Sequence, residues 1–278
     1  MSTIFVGGSE RSGTTVLTSI LCGGSTTNPL LEDCSYIRKV VEAYAQGCDL
    51  FDEQTHAYFR SREDLRDFNA TWLTTLLQGL SERYAPAEDL VLKEPLLTPF
   101  FPFLAELLPD ARLILTVRDP RDTIASMVRV METQTKIGQI TDLTMRGRDM
   151  ELLSRYYLSF YSPVMSSDSP TLADSTLILR HEDVLGAFDE LLETLREFTG
   201  LPLQGVSAAN PWARSSIDFS NSRTSVSPVD SSLHGQPLSA AHAGNFLDVL
   251  TPDEVHAIEH HCAEVIQLFG YQPSLLPV

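Results

Sequence analysis

Four short apolar runs set the rhythm of the chain: Thr3–Val6, Leu90–Leu92, Arg112–Val117 and Thr176–Leu179. Each gives way at its carboxyl end to a polar or glycine-containing turn, as strands buried on both faces of a parallel sheet do. Between and beyond them the apolar positions fall into helical spacing at Thr14–Leu21, Asn69–Tyr84, Pro99–Leu108, Asp122–Met131, Asp149–Tyr161, Val184–Thr199 and Pro252–Phe269. Strand and helix in alternation predict an α/β fold with a mostly parallel central sheet flanked by helices. In such folds ligands bind beyond the carboxyl ends of the strands.

Two stretches break the rhythm. Residues 23–66 are polar, mixed and weakly periodic, and residues 200–243 are rich in Ser, Pro, Gly and Asn, which predicts a long, mobile excursion. No internal repeat and no separating linker is visible, so residues 1–278 are expected to form a single domain.

Charge narrows the possible partners. The formal net charge is −17, which argues against nucleic acid or an anionic membrane surface as a partner. Any anionic ligand must then be held by a local cluster of cations, so the positions of the few Arg and Lys residues carry information. No run approaches the roughly 20 apolar residues of a membrane span, and the chain enters its first strand without a basic and apolar leader, so it reads as cytoplasmic. Cys22, Cys34, Cys48 and Cys262 show no C-x-x-C pairing. Reduced thiols are expected, with neither a disulfide framework nor a metal site.

Three of the strand ends carry cations. After the first run comes Gly7-Gly8-Ser9-Glu10-Arg11-Ser12-Gly13-Thr14-Thr15. Gly8 and Gly13 have the spacing of the phosphate-cradling loop G-x-x-x-x-G-K-[ST], but Thr14 stands in the lysine position and Arg11 is the loop's cation. Glycines that let the backbone approach an anion, three hydroxyls and the amides opening the next helix all suit a phosphate. The third strand runs into Arg118-Asp119-Pro120-Arg121-Asp122, with Ser126 in the first turns of the following helix, a second anion site. The second ends in Lys93-Glu94-Pro95. In a parallel sheet Arg11, Lys93 and Arg118 converge on one edge.

The R-S-G-T-T loop and the R-D-P-R-D-x-x-x-S segment together resemble the sulfotransferases that use PAPS, the 3′-phosphorylated adenylyl sulfate. The loop style G-G-x-x-R-S-G-T-T, together with Lys93 before an acid-Pro pair, is most similar to the tyrosylprotein sulfotransferase branch. Weaker support comes from Leu179-Arg180-His181-Glu182-Asp183 and Phe269-Gly270-Tyr271. The resemblance covers most of the chain and implies a P-loop-type three-layer sandwich. It implies that Arg11, Ser12, Gly13, Thr14 and Thr15 hold the 5′-phosphosulfate and that Arg118 and Ser126 hold the 3′-phosphate. Lys93 would stand near the transferring sulfuryl group, and Glu32 falls where the tyrosylprotein branch has its catalytic glutamate. Asp33 and His56 are alternative bases. His181 replaces a tyrosine common at its strand end and is assigned near the adenine. The family's downstream serine corresponds to Ser222 or Ser225.

The chemistry agrees with these roles. Sulfuryl transfer is an in-line displacement that depends on positioning and charge stabilisation, as phosphoryl transfer does. Arg11 and Lys93 would neutralise the leaving phosphate, and Glu32 would take the acceptor's proton. The group transferred carries less charge than a terminal phosphate, so no metal is expected, with PAPS as donor and PAP as product. The expected acceptor is a hydroxyl on a small molecule or natural product, with carbohydrate or peptide as further options, read by residues 23–66 and 200–243. The rival readings are a P-loop nucleotide kinase or NTPase, which Thr14 disfavours, and a non-catalytic nucleotide-binding protein of the same fold. Glu10 is a departure, because its charge would repel an anion unless it points away. The H-x-x-E-H match at His256, Glu259 and His260 is read as an exposed helix face rather than a zinc site.

Overall fold

The protein is described by a computed structural model over residues 2–215, 235–238 and 244–274. Ser222, Ser225 and much of the 200–243 segment lie outside the described residues. Four strands, β1 (Thr3–Gly8), β2 (Leu90–Lys93), β3 (Arg112–Val117) and β4 (Thr176–Arg180), form one sheet in the order β2-β1-β3-β4. All three pairings are parallel. The chain leaves β1 toward β2 on one side and then crosses to β3 on the other. The cleft between the carboxyl ends of β1 and β3 is therefore the topological switch point, where doubly wound sheets bind ligands.

Alternation along the strands divides the core into two layers. Phe5, Leu92, Leu113 and Leu115 face one cluster, shared with α2 (Ser35–Asp49), α3 (Arg62–Arg83), α4 (Phe101–Leu107), α5 (Pro120–Lys136), α7 (Met150–Met165) and α11 (Pro252–His261). Ile4, Val6, Val91 and Ile114 face the other, shared with α1 (Thr14–Cys22) and α10 (Phe188–Thr199). The result is the α/β sandwich expected. No helix among the described residues is long and apolar enough to cross a membrane.

Three expectations change. The segment read as irregular contains α2, which buries Ile37, Val40, Val41, Tyr44 and Ala45, an i, i+3, i+4, i+7, i+8 stripe on an otherwise polar helix. The single helix expected at Val184–Thr199 is two, α9 (His181–Gly186) and α10, with Ala187 between them at non-helical dihedrals. The closing helix likewise breaks at Cys262 into α11 and α12 (Ala263–Leu268). Short helices α6 (Asp142–Arg146) and α8 (Pro170–Ser175) complete the order.

The outer edge of β2 is covered by the chain between α1 and α2. Asn28 brackets Val91, accepting from its amide at 2.7 Å and donating to its carbonyl at 3.0 Å, and the Cys34 amide donates to the Lys93 carbonyl at 2.9 Å. Covering an edge removes unpaired ladder groups from solvent. It also carries residues 32–35 to the end of β2.

Candidate active site

The loop after β1 is shaped by close approach. Gly8 has φ 142°, and a Cβ there would meet the Thr116 hydroxyl at 2.3 Å and its carbonyl at 2.5 Å. Gly13 caps α1 with φ 92°, and its missing side chain leaves the helix's first amides without a side-chain cap. Arg11 has φ 70°, a left-handed conformation adopted by no other described non-glycine residue. Backbone strain of this kind is kept where function requires it.

Buried hydroxyls hold the loop in place. Ser12 Oγ donates to the Ser9 carbonyl at 2.7 Å and lies 2.8 Å from Thr116 Oγ1. The Gly8 amide donates to Thr98 Oγ1 at 2.7 Å. From α7, the Tyr161 hydroxyl accepts from the Ser9 amide and donates to the Thr116 carbonyl, both at 3.1 Å. Tyr157, one turn earlier, donates to the Arg118 carbonyl at 2.9 Å. Tyr156 donates to Glu10 at 2.6 Å, which turns that carboxylate toward α7. One helix thus supports the turns after both β1 and β3.

The two cation segments meet across the switch point. Arg11 Nε donates to Ser126 Oγ on α5 at 3.1 Å, and Arg118 Nη1 donates to the Arg11 carbonyl at 3.2 Å. Arg118 Nη2 stands 4.0 Å from Asp122, whose carboxylate accepts from the Gly244 amide at 2.7 Å. Burial raises the Asp122 pKa above the usual carboxylate range. Arg121 serves another purpose. It bonds Asp119 and Glu259 and lies under the Phe246 ring, tying the start of α5 to α11.

That contact corrects the reading of the H-x-x-E-H match. Glu259 is not on an exposed face but bonds Arg121 at 2.6 Å and the Ser274 amide at 2.7 Å. Among the described residues no group of three or more His, Cys, Asp and Glu side chains converges on a metal position.

Lys93 ends β2 opposite Val6 of β1 and is 9% exposed. Its ammonium pairs with Asp33. Glu94, 2% exposed, accepts from Ser35 Oγ at 2.6 Å and from the Leu96 amide at 3.2 Å, and burial raises its pKa. Glu32 is exposed one residue before Asp33, so it lies at the same sheet edge. His56 does not. It bonds the Phe51 carbonyl beyond the far end of α2, a helix about 22 Å long that begins beside Glu94.

His181 opens α9 at the end of β4 and packs on the loop. A Cβ at Gly13 would stand 2.1 Å from its Nδ1, and that nitrogen is sealed from solvent without a protein partner. Burial, then the neighbouring Arg118 charge, lowers its pKa to about 3, so the ring is neutral at working pH. The unfolded chain takes up a proton near pH 6.5 that the folded one refuses. His181 therefore withdraws stability as pH falls from about 6.5 toward 3. Between pH 7.5 and 5 wild type should lose about 2 kcal/mol more than His181→Asn, measured as the difference between their denaturant unfolding curves. That difference removes the contributions of Glu94 and Asp122, whose raised pKa values act in the opposite direction. Identical pH dependence would show that His181 protonates freely in the fold.

Gly13→Ala should cost more than its conformation alone, about 1–3 kcal/mol, because the added methyl also strikes the His181 ring. A melting temperature unchanged by this substitution would mean that the loop and His181 are not in contact.

The geometry suits an anionic nucleotide donor: two glycines that exclude a Cβ, uncapped helix amides, an orphan imidazole nitrogen and two guanidiniums at one cleft. A family model described as "Sulfotransferase family" matches residues 3–205. The chain belongs to this family. In fold, the chain is similar to the sulfotransferase domain from the curacin biosynthetic pathway, with a TM-score of 0.60 and 17% identity over 98% of this chain and 99% of that one. The sulfotransferase domain of the Synechococcus PCC 7002 olefin synthase gives a TM-score of 0.57 and 16% identity, over 99% and 95%. Mouse sulfotransferase SULT7A1 in complex with PAP gives 0.50 and 14%, over 98% and 89%. No curated protein matches the chain by sequence.

What the sequence reading missed here is the support around the site: Thr98, Thr116 and the α7 tyrosines. The run Tyr156-Tyr157-Leu158-Ser159-Phe160-Tyr161 was the available signal. Large polar-tipped rings in a core-facing helix need partners for their hydroxyls.

Proposed function

We propose that the protein transfers the sulfuryl group of PAPS to a hydroxyl of a small molecule, foremost a natural product. The observation that carries this reading is the Arg11–Ser126 bond, joined by Arg118, which unites the two anion segments in one cleft. A donor with phosphate-type anions at both its 5′ and 3′ positions calls for two such sites. The natural-product class draws support from the biosynthetic pathway to which one structural relative belongs.

The fit to PAPS is local. The loop from Arg11 to Thr15 offers amides and hydroxyls to the 5′-phosphosulfate, and Arg118 and Ser126 offer a fork and a hydroxyl to the 3′-phosphate. His181, neutral and with Nδ1 unpartnered, is assigned to the nucleotide beside the loop. The donor supplies the sulfuryl group. Glu32 takes the proton of the acceptor hydroxyl as its oxygen bonds to sulfur and the bond to the 5′-phosphate breaks. Arg11 and Lys93 meet the negative charge that collects on that phosphate. Acceptor recognition falls to residues 23–66, which reach the end of β2, and to residues 200–243.

Sulfuryl label from radioactive PAPS, followed into a metabolite extract and in parallel into peptide and glycan pools, tests the acceptor class. Label in a small hydroxylated product is expected. Label confined to the peptide or glycan pool would contradict it.

A further inference from the structure

The ion pair at the end of β2 has an arrangement that catalysis alone does not require. Lys93 is nearly buried, and a buried ammonium without a counter-charge is costly. Glu94 is adjacent in sequence, yet its carboxylate is taken by Ser35, the Leu96 amide and Arg38. The counter-charge comes from Asp33, whose side chain is 44% exposed. Two contacts that do not involve the Asp33 side chain hold it there: the Cys34 amide on the Lys93 carbonyl and Ser35 on Glu94. Asp33 therefore stays beside Lys93 whether or not the ion pair is made.

Register places Lys93 beside Val6, two residues before Gly8 and the loop assigned to the 5′-phosphosulfate. The ammonium is thus held by a resident carboxylate at the strand end next to that loop.

We infer that Asp33 is a positioning residue that competes with the 5′ anion of the donor and of the product for Lys93. It holds the lysine in the donor-free site and gives it up when the donor arrives. Afterwards its anchored charge weakens the hold on PAP. The inference rests on the PAPS reading of the site. No bond is made or broken; one ion pair is exchanged for another.

Calorimetric titration of PAP into wild type, Asp33→Asn, Lys93→Met and the double variant tests it. Asp33→Asn should tighten PAP about 1.5- to fivefold, the worth of a partly exposed ion pair. Adenosine 3′-monophosphate has no 5′ anion, so its affinity should not change. Asp33→Glu should restore wild-type affinity, and in the Lys93→Met background Asp33→Asn should have no effect. Asp33→Ser serves the same purpose if the asparagine variant does not fold.

Unchanged or weakened PAP binding in Asp33→Asn overturns the inference, as does equal tightening of the 3′-monophosphate. Unchanged PAP binding with collapsed turnover overturns it in favour of Asp33 as the base. A wild type that binds no PAP removes the donor reading and this inference with it, whereas PAP binding indifferent to Asp33→Asn removes this inference alone.

Discussion

Arg118→Ala should raise the dissociation constant of PAP about 100-fold, equivalent to about 2.7 kcal/mol, within what charge-assisted hydrogen bonds to a phosphate are worth. The guanidinium comes off the end of β3, its turn fixed by Tyr157 and its own Nη1 bonded to the Arg11 carbonyl. The substitution would therefore remove the fork proposed for the 3′-phosphate and also the bond to the neighbouring loop. Adenosine 5′-phosphosulfate, which has no 3′-phosphate, separates these effects: its affinity should fall far less than that of PAP. Arg118→Lys should lie between, because it keeps the charge and loses the planar fork. Equal losses for both ligands, measured by calorimetry, would show that Arg118 acts through the loop and not on the 3′-phosphate.

Glu32→Ala should lower turnover about 10²–10⁴-fold, the range for removing a general base, and leave PAP affinity within about twofold of wild type. Glu32 is exposed on the segment that the Cys34–Lys93 and Ser35–Glu94 bonds fasten to the end of β2. Its exposure is what the proposed role of base toward an acceptor arriving from solvent requires. The measurement is steady-state sulfuryl transfer to the acceptor found in the extract, paired with PAP titration. Turnover close to wild type would move the base to another group. Asp33 would then be the first candidate, since His56 lies at the other end of α2.

The sheet and the cation positions were legible because they depend on short-range signals. A buried strand must be apolar and short, and a cation placed right after it must emerge at the sheet's carboxyl edge. Helix α2 was equally open to reading, since Ile37, Val40, Val41, Tyr44 and Ala45 form a regular stripe, but the polarity of its other residues hid it. Other features were beyond local pattern. Tyr161 and Ser9 are 152 residues apart, and Arg121 and Glu259 are 138 apart. Both contacts depend on how α7 and α11 pack on the sheet. The Asp33–Lys93 pair needs the chain after α1 to return along the edge of β2, and that path is set by Asn28 and Val91 across 63 residues.

On the proposed reading, the strand ends form a donor site for an adenosine 3′,5′-bisphosphate, its charge met by Arg11, Lys93 and Arg118. Titration of PAP into the protein in EDTA, beside ATP with Mg²⁺, tests it most directly. Saturable one-to-one PAP binding without metal is expected, with weaker binding of ATP. Absence of PAP binding together with Mg²⁺-dependent binding of ATP would contradict it and identify the loop as that of a nucleoside triphosphate enzyme.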